Sequence, residues 1–199
     1  MLANIAVFVS GGGTNLQALI DSEKLKHGKI KLVVSNKKDA YALERAKSAN
    51  IKTEVVLKKD FTSQNDFEER LCALLDDNKI DLIVLAGFMS ILTKSFTDRY
   101  KNRIINVHPS LIPSFCGKGF YGIHVHEAAL KYGVKVSGAT VHFVNEVPDG
   151  GKIIYQKAVK VLKNDTPQAL QKRIMQQAEW KILPKAVEKV CRQIVNINK

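Results

Sequence analysis

Apolar residues in the first half of the chain fall into short blocks, separated by segments in which they recur every three or four positions. The blocks IAVFV (5–9), IKLVVS (30–35), TEVVL (53–57), LIVLAG (82–87) and RIINV (103–107) predict strands, and NLQALIDSEKL (15–25), DAYALERAKSA (39–49) and NDFEERLCALLDD (65–77) predict helices. Short strands alternating with helices of this length are βαβ units, so the expected class is α/β, an open, mostly parallel twisted sheet with helices on both faces. The period then changes. GATVHFV (138–144) and KIIYQKAVKV (152–161) are longer strand-like runs joined by NEVPDGG (145–151), whose Pro148, Gly150 and Gly151 are turn formers, which predicts an antiparallel edge. From Thr166 as N-cap, with Pro167 in the first turn, the chain reads as helix with a break at Pro184.

At 199 residues and 45% hydrophobic, the chain has material for one substantial core, and one domain is expected. No apolar run approaches the roughly 18 residues of a membrane span and no charged segment leads an apolar one, so a cytoplasmic protein without a membrane partner is expected. Cys72, Cys116 and Cys191 have no metal-like spacing and read as reduced thiols. The formal charge of +12 raises the question of nucleic acid. The lysines are spread among acids along helix faces rather than massed in a stripe with aromatics, so the charge reads as a basic surface favouring small anionic substrates.

In open α/β sheets, ligands bind beyond the carboxyl ends of the strands. Gly11, Gly12 and Gly13 follow the first strand and precede Thr14 and Asn15 at a helix start, the usual wiring of a phosphate site. A dinucleotide fingerprint would want a glycine where Leu16 stands and an acid where Ser35 and Asn36 stand, and a P-loop would want Lys then Ser or Thr. Neither is present. After the fifth strand, INVHPS places Asn106 and His108 on one face and Ile105 and Val107 on the other. An amide beside an imidazole can donate two hydrogen bonds to one developing oxyanion, and Asp149 on its glycine-flanked turn can accept protons and favour the imidazolium.

SGGGTNLQAL, LAGFMSIL, INVHPSLIPSF and ATVHFV followed by DGG resemble the phosphoribosylglycinamide formyltransferase family of folate-dependent enzymes, also called GAR transformylases, over essentially the whole chain. The resemblance implies a single Rossmann-like formyltransferase domain over 1–199, with a phosphate-binding half to about 100 and a catalytic and folate-contacting half beyond it. It implies transfer of a formyl group from 10-formyltetrahydrofolate, as co-substrate, to the amine of glycinamide ribonucleotide, without metal or covalent intermediate. Asn106, His108 and Asp149 match the family's catalytic trio, and Gly13, Thr14, Asn15 and Glu179 match its ribonucleotide site. Met89, Ser90, Ile91, Leu92 and Asn106 match its folate-contacting positions, as does Gln64, where some members carry an Arg that reaches the folate glutamate tail. His126 and His142 match histidines that support the site, and Gly117 to Gly122, with Lys118, suggest a mobile lid. The expected partners are small molecules, with the protein a monomer or homodimer.

Other readings stay open on sequence. Cys116 near His108 would suit a thiol hydrolase, though Asn106 and the glycine loop would then be unexplained. A formyltetrahydrofolate hydrolase uses a similar trio, and a non-catalytic phosphoribosyl-binding module would keep the loop alone. Methionyl-tRNA formyltransferase would suit the charge but needs a further RNA-binding domain. His124 and His126 stand two apart at a helix start and face different ways, which is unsuited to a metal pair.

Overall fold

The computed structural model describes residues 2–197. Seven strands form one sheet in the order β3-β2-β1-β4-β5-β6-β7. They are β1 (Ala3–Val9), β2 (Gly28–Ser35), β3 (Lys52–Val55), β4 (Leu82–Leu85), β5 (Ile104–His108), β6 (Val136–Phe143) and β7 (Ile153–Lys160). The first five run parallel, and β6 and β7 pair antiparallel. The mostly parallel sheet and its antiparallel edge are therefore as the apolar pattern predicts.

Strand alternation sorts the core into two layers. Ile5, Val7 and Val9 of β1 pack on one face with Leu16, Ala42, Leu170 and Leu183, while Ala6 and Phe8 pack on the other with Phe67, Leu71 and Phe96. The first layer is closed by α1 (Thr14–Ile20), α2 (Tyr41–Ser48), α5 (Ile123–Tyr132), α6 (Pro167–Ile174) and α7 (Trp180–Ile197). The second is closed by α3 (Gln64–Asp77) and α4 (Lys94–Arg99).

Two helix readings need correction. The helix after β1 stops at Ile20 rather than running to residue 25, because Asp21 and Ser22 turn the chain through bonds to Gln17 and Leu19. The C-terminal helix does not break at Pro184, which lies buried inside α7. The irregularity comes one turn earlier, as a π turn over Met175–Glu179.

The chain winds outward from β1 through β2 to β3 and returns at β4, so the strand order reverses between β1 and β4. The loops leaving these two strands face one crevice, and Met89 N–H donates to Ser10 Oγ across it at 2.8 Å. Such a switch point is where an open sheet receives ligands.

Candidate active site

Asn106 and His108 lie on the α4 face at the carboxyl end of β5, and His142 of β6 stands directly opposite Asn106. The turn between β6 and β7 folds back over them. It does so at Gly151, where a Cβ would stand 1.7 Å from the Phe143 carbonyl oxygen, so only glycine permits the approach. Asp149 has φ 57°, a left-handed conformation that Asp tolerates better than most residues. Its carboxylate thereby becomes the focus of the site. Asn106 Nδ2 donates to Oδ1 at 3.4 Å, Gly117 N–H donates to Oδ2 at 2.9 Å, and His108 Nδ1 lies 3.5 Å from Oδ2.

Hydrogen bonding fixes the resting tautomers. His142 Nδ1–H donates to its neighbour's carbonyl, Phe143 O, at 2.8 Å, which leaves Nε2 to accept from Asn106 Nδ2 at 3.2 Å. His108 Nε2–H donates to Phe115 O at 2.9 Å and turns Nδ1 to Asp149. Burial raises the Asp149 carboxyl, but the neighbouring His142 and His108 rings and the Gly117 N–H together outweigh it and hold the group below its ordinary value. For His108 the balance is reversed. Burial lowers its pKa, and the opposing pull of Asp149 only partly offsets this, so the expectation that the carboxylate secures a resting imidazolium is corrected.

His126, on α5, is fully buried, with neither ring nitrogen hydrogen-bonded among the described residues. Burial first and His108 second lower its pKa to about 4. His124, two residues earlier, is exposed and meets Glu127.

A cleft of about 130 Å3 opens beside the trio, with Leu85, Phe88, Leu92 and Val144 as apolar walls and Ser90, Asn106, His142 and Asp149 as polar groups. Ile91 also lines it, whereas the Met89 side chain is exposed beside it. Gln64 supports the rim instead of facing the cleft: its amide donates to Glu68 Oε1 at 2.6 Å and to the Ile91 carbonyl at 3.2 Å. Buried Glu68 also accepts from the N–H and hydroxyl of Thr93, which caps α4. The loop from Cys116 to Gly122 reaches the trio through Gly117, while Cys116 Sγ points to the Pro113 carbonyl and burial raises its pKa, which is poor chemistry for a nucleophile.

A second cluster forms at the glycine loop. Ala42 N–H donates to Gly11 O at 3.1 Å and Arg45 Nε–H donates to Gly12 O at 2.8 Å, so two successive carbonyls are tied to α2. In a trans peptide the next N–H points opposite to the carbonyl. The N–H groups of Gly12 and Gly13 are therefore turned away from α2, and those of the first turn of α1 have no acceptor within the helix. The π turn brings Met175 and Glu179 to the same loop: Thr14 Oγ1 meets Met175 Sδ at 3.1 Å and Asn15 Nδ2 donates to Glu179 Oε2 at 2.6 Å. Burial raises the Glu179 carboxyl against the opposing pull of the Asn15 bond. Gly13, Thr14, Asn15 and Glu179 thus assemble, and so do Asn106, His108, Asp149 and His142. Sequence reasoning missed Arg45, Glu68 and the main-chain groups of Phe115 and Gly117, whose roles depend on contacts distant in sequence.

The formyl transferase family model matches residues 3–187. The phosphoribosylglycinamide formyltransferase of Haemophilus influenzae is 40% identical over 94% of this chain and 86% of its own length. The human trifunctional purine biosynthetic protein adenosine-3 is 42% identical over 98% of this chain, which spans only 19% of that relative's length. Among solved structures, glycinamide ribonucleotide transformylase 1 from Symbiobacterium toebii superposes with a TM-score of 0.90 at 38% identity, over 96% of this chain and 89% of its own.

Proposed function

The chain belongs to the formyl transferase family, and from that premise we propose that it transfers the formyl group of 10-formyltetrahydrofolate to the amine of 5-phosphoribosylglycinamide in de novo purine biosynthesis. One observation carries the reading: Asn106 and Asp149 line a cleft, His108 packs against Asp149 behind it, and the loop on the cleft's wall is joined through Met89 and Ser10 to the glycine loop. The names of the single-function relatives support the same reaction. The cleft fits the folate, with apolar walls for a flat ring and polar groups at the reacting end. The glycine-loop N–H groups, with Thr14 and Asn15, fit the ribonucleotide phosphate, and Glu179, held by Asn15, stands on the ribonucleotide side of the crevice.

Folate supplies an activated formyl carbon. Asn106 presents an N–H donor to the oxygen that becomes negative when the amine attacks that carbon, and His108, whose Nε2–H is held by Phe115 O, can add a second only through Nδ1 once that nitrogen is protonated. Burial keeps His108 neutral at rest, and the growing negative charge offsets the penalty of protonating it, so the proton released by the amine can pass from Asp149 to Nδ1, 3.5 Å away, on its way to the leaving nitrogen and make the ring a donor to that oxygen. Asp149, held ionised, takes the proton that the amine loses. In balance, a bond forms between carbon and the amine nitrogen, the bond from carbon to the folate nitrogen breaks, and one proton passes from the first nitrogen to the second. The same reading makes the protein cytoplasmic, acting on small molecules as monomer or homodimer, with its chemistry carried by protein side chains.

Absorbance of the released folate, followed with and without glycinamide ribonucleotide, tests this. Release is expected only when the ribonucleotide is present, and equal release without it would make the protein a hydrolase. Asp149→Asn keeps the left-handed turn and is expected to lower turnover about a hundred- to ten-thousand-fold by removing the proton acceptor. A near wild-type rate with an unchanged pH profile would remove Asp149 from the mechanism.

A further inference from the structure

The cleft wall between β4 and α4, residues 86–93, has no regular secondary structure, yet it supplies Phe88, Ser90, Ile91 and Leu92 to the lining. A segment without a backbone ladder takes its shape from individual bonds. Here they come from the ends of β1 and β2 and from α3: Met89 N–H donates to Ser10 Oγ, Asn36 Nδ2 donates to Ser90 Oγ at 2.9 Å, and the far end is held by Gln64 and Glu68. Glu68 is the centre of that last anchor. Its carboxylate accepts from Thr93 N–H at 2.7 Å, from the Thr93 hydroxyl and from Gln64 Nε2 at 2.6 Å, and the Gln64 amide reaches on to the Ile91 carbonyl. The residue is only 4% exposed and forms no ion pair among the described residues. A buried carboxylate without a cation is a costly way to stabilise a helix, and an apolar side chain of similar size serves stability as well. Thr93 and Gln64 are themselves only partly buried, so without Glu68 their donors turn to water at little cost. What is lost is their direction.

We propose that Glu68 is a positioning residue for folate binding, which holds Ile91 and Leu92 in the cleft wall through Gln64 and Thr93 and touches neither substrate. The proposal rests on the functional reading above and adds a residue that sets affinity for the folate without entering the chemistry. The Thr93 hydroxyl gives its proton to Glu68 and accepts from Phe96 N–H at 3.3 Å, so the start of α4 and the end of the cleft wall share one fixed point. Phe96 sets that point in the same core layer as Phe8, against which Phe88 of the wall packs with ring centroids 5.2 Å apart. Asn106 and His108 stand on β5 and Asp149 on the β6–β7 turn, outside this anchor, and the glycine loop is tied separately to α2. Loosening the wall therefore weakens contacts made equally in the bound complex and in the transition state, which raises KM for the folate and leaves kcat in place.

The experiment is steady-state kinetics with 10-formyltetrahydrofolate and glycinamide ribonucleotide, comparing the wild type with Glu68→Met and Glu68→Gln. Glu68→Met keeps the reach of the side chain and removes both acceptors. It is expected to raise KM for the folate about tenfold, as the loss of one hydrogen-bonded contact would. It should leave kcat, KM for the ribonucleotide and the melting temperature close to wild type. Glu68→Gln retains an oxygen for Thr93 N–H and Gln64, the Thr93 hydroxyl can reverse to accept from the new amide, and KM for the folate should return to the wild-type value. Thr93→Val, which removes only the hydroxyl, should show the same folate-selective loss in milder form and Thr93→Ser should abolish that loss, so this pair carries the test if Glu68→Met does not fold. An unchanged KM for the folate in both Glu68→Met and Thr93→Val, an equal loss for the two substrates, or a fall in kcat alone would overturn the role. So would a Glu68→Gln enzyme as impaired as Glu68→Met, because charge rather than hydrogen bonding would then be acting. Absence of ribonucleotide-dependent turnover in the wild type would instead overturn the functional reading on which the role rests.

Discussion

His126 has no hydrogen-bond partner among the described residues, yet it is wholly enclosed. A buried ring of this kind contributes packing when neutral and is penalised when charged. The direction of its pH effect follows from linkage. Folding lowers its pKa from 6.5 to about 4, so between those values the unfolded chain binds a proton that the folded chain refuses. Its contribution to stability is fully present above pH 6.5 and is lost as the pH falls from there through about 4. Burial shifts His108 in the same direction, so the two rings add. Replacing His126 with Leu, which is similar in volume and suited to a helix, is expected to leave stability at neutral pH little changed. It should also flatten the acid limb of a melting-temperature profile, with about one fewer proton taken up on unfolding across this range. An unaltered acid limb would show that the ring titrates normally, and a severe loss at neutral pH would show that its nitrogens hold partners after all.

The glycine loop depends on α2 as much as on its own residues. Gly13 has φ 70°, and a Cβ there would lie 2.5 Å from Ala42 Cβ, so a side chain would collide with α2 rather than only crowd a phosphate. Gly13→Ala is therefore expected to cost about 1–3 kcal/mol of stability, through strain and overpacking. It should also weaken ribonucleotide binding far more than folate binding, because the loop N–H groups lose their common direction. Arg45→Lys keeps the charge but loses the planar fork that holds Gly12 O and Gln17 Oε1, and it should show the same selective loss in milder form, with little change in melting temperature. Equal losses for the two ligands in both variants would mean general disorder at the crevice. Much of this framework is legible in the sequence: the alternation of Ile5 to Val9 places β1, the spacing in residues 65–77 places α3, and the turn formers of 145–151 place the antiparallel edge. The short α4 and the π turn are not. A single turn such as KSFTDR carries too few apolar positions to show a period, and the π turn follows from what Met175 and Glu179 meet across the fold, which no local pattern encodes.

The two clusters of the site differ in how far sequence reveals them. Asn106 and His108 share a face by strand alternation alone, whereas the approach of Asp149, 41 residues further along than His108, needs the β6–β7 pairing and the close passage at Gly151. The net charge of +12 belongs to the molecule as a whole, and the glycine loop opens on the same carboxyl edge of the sheet as Lys37, Lys38, Lys58 and Lys59. A positive field over that edge raises the encounter rate of an anionic substrate and does nothing for the chemistry that follows. The association rate of glycinamide ribonucleotide, followed by stopped-flow fluorescence of Trp180 beside the glycine loop, is therefore expected to fall several-fold as salt is raised past the point where the screening length drops to about 10 Å. The bound complex should react at an unchanged rate. The riboside lacking its phosphate supplies the control: its association should be slower and indifferent to salt. If ribonucleotide and riboside showed the same salt dependence, the field would not be steering the phosphate, and the excess of lysines would reduce to a solvated surface.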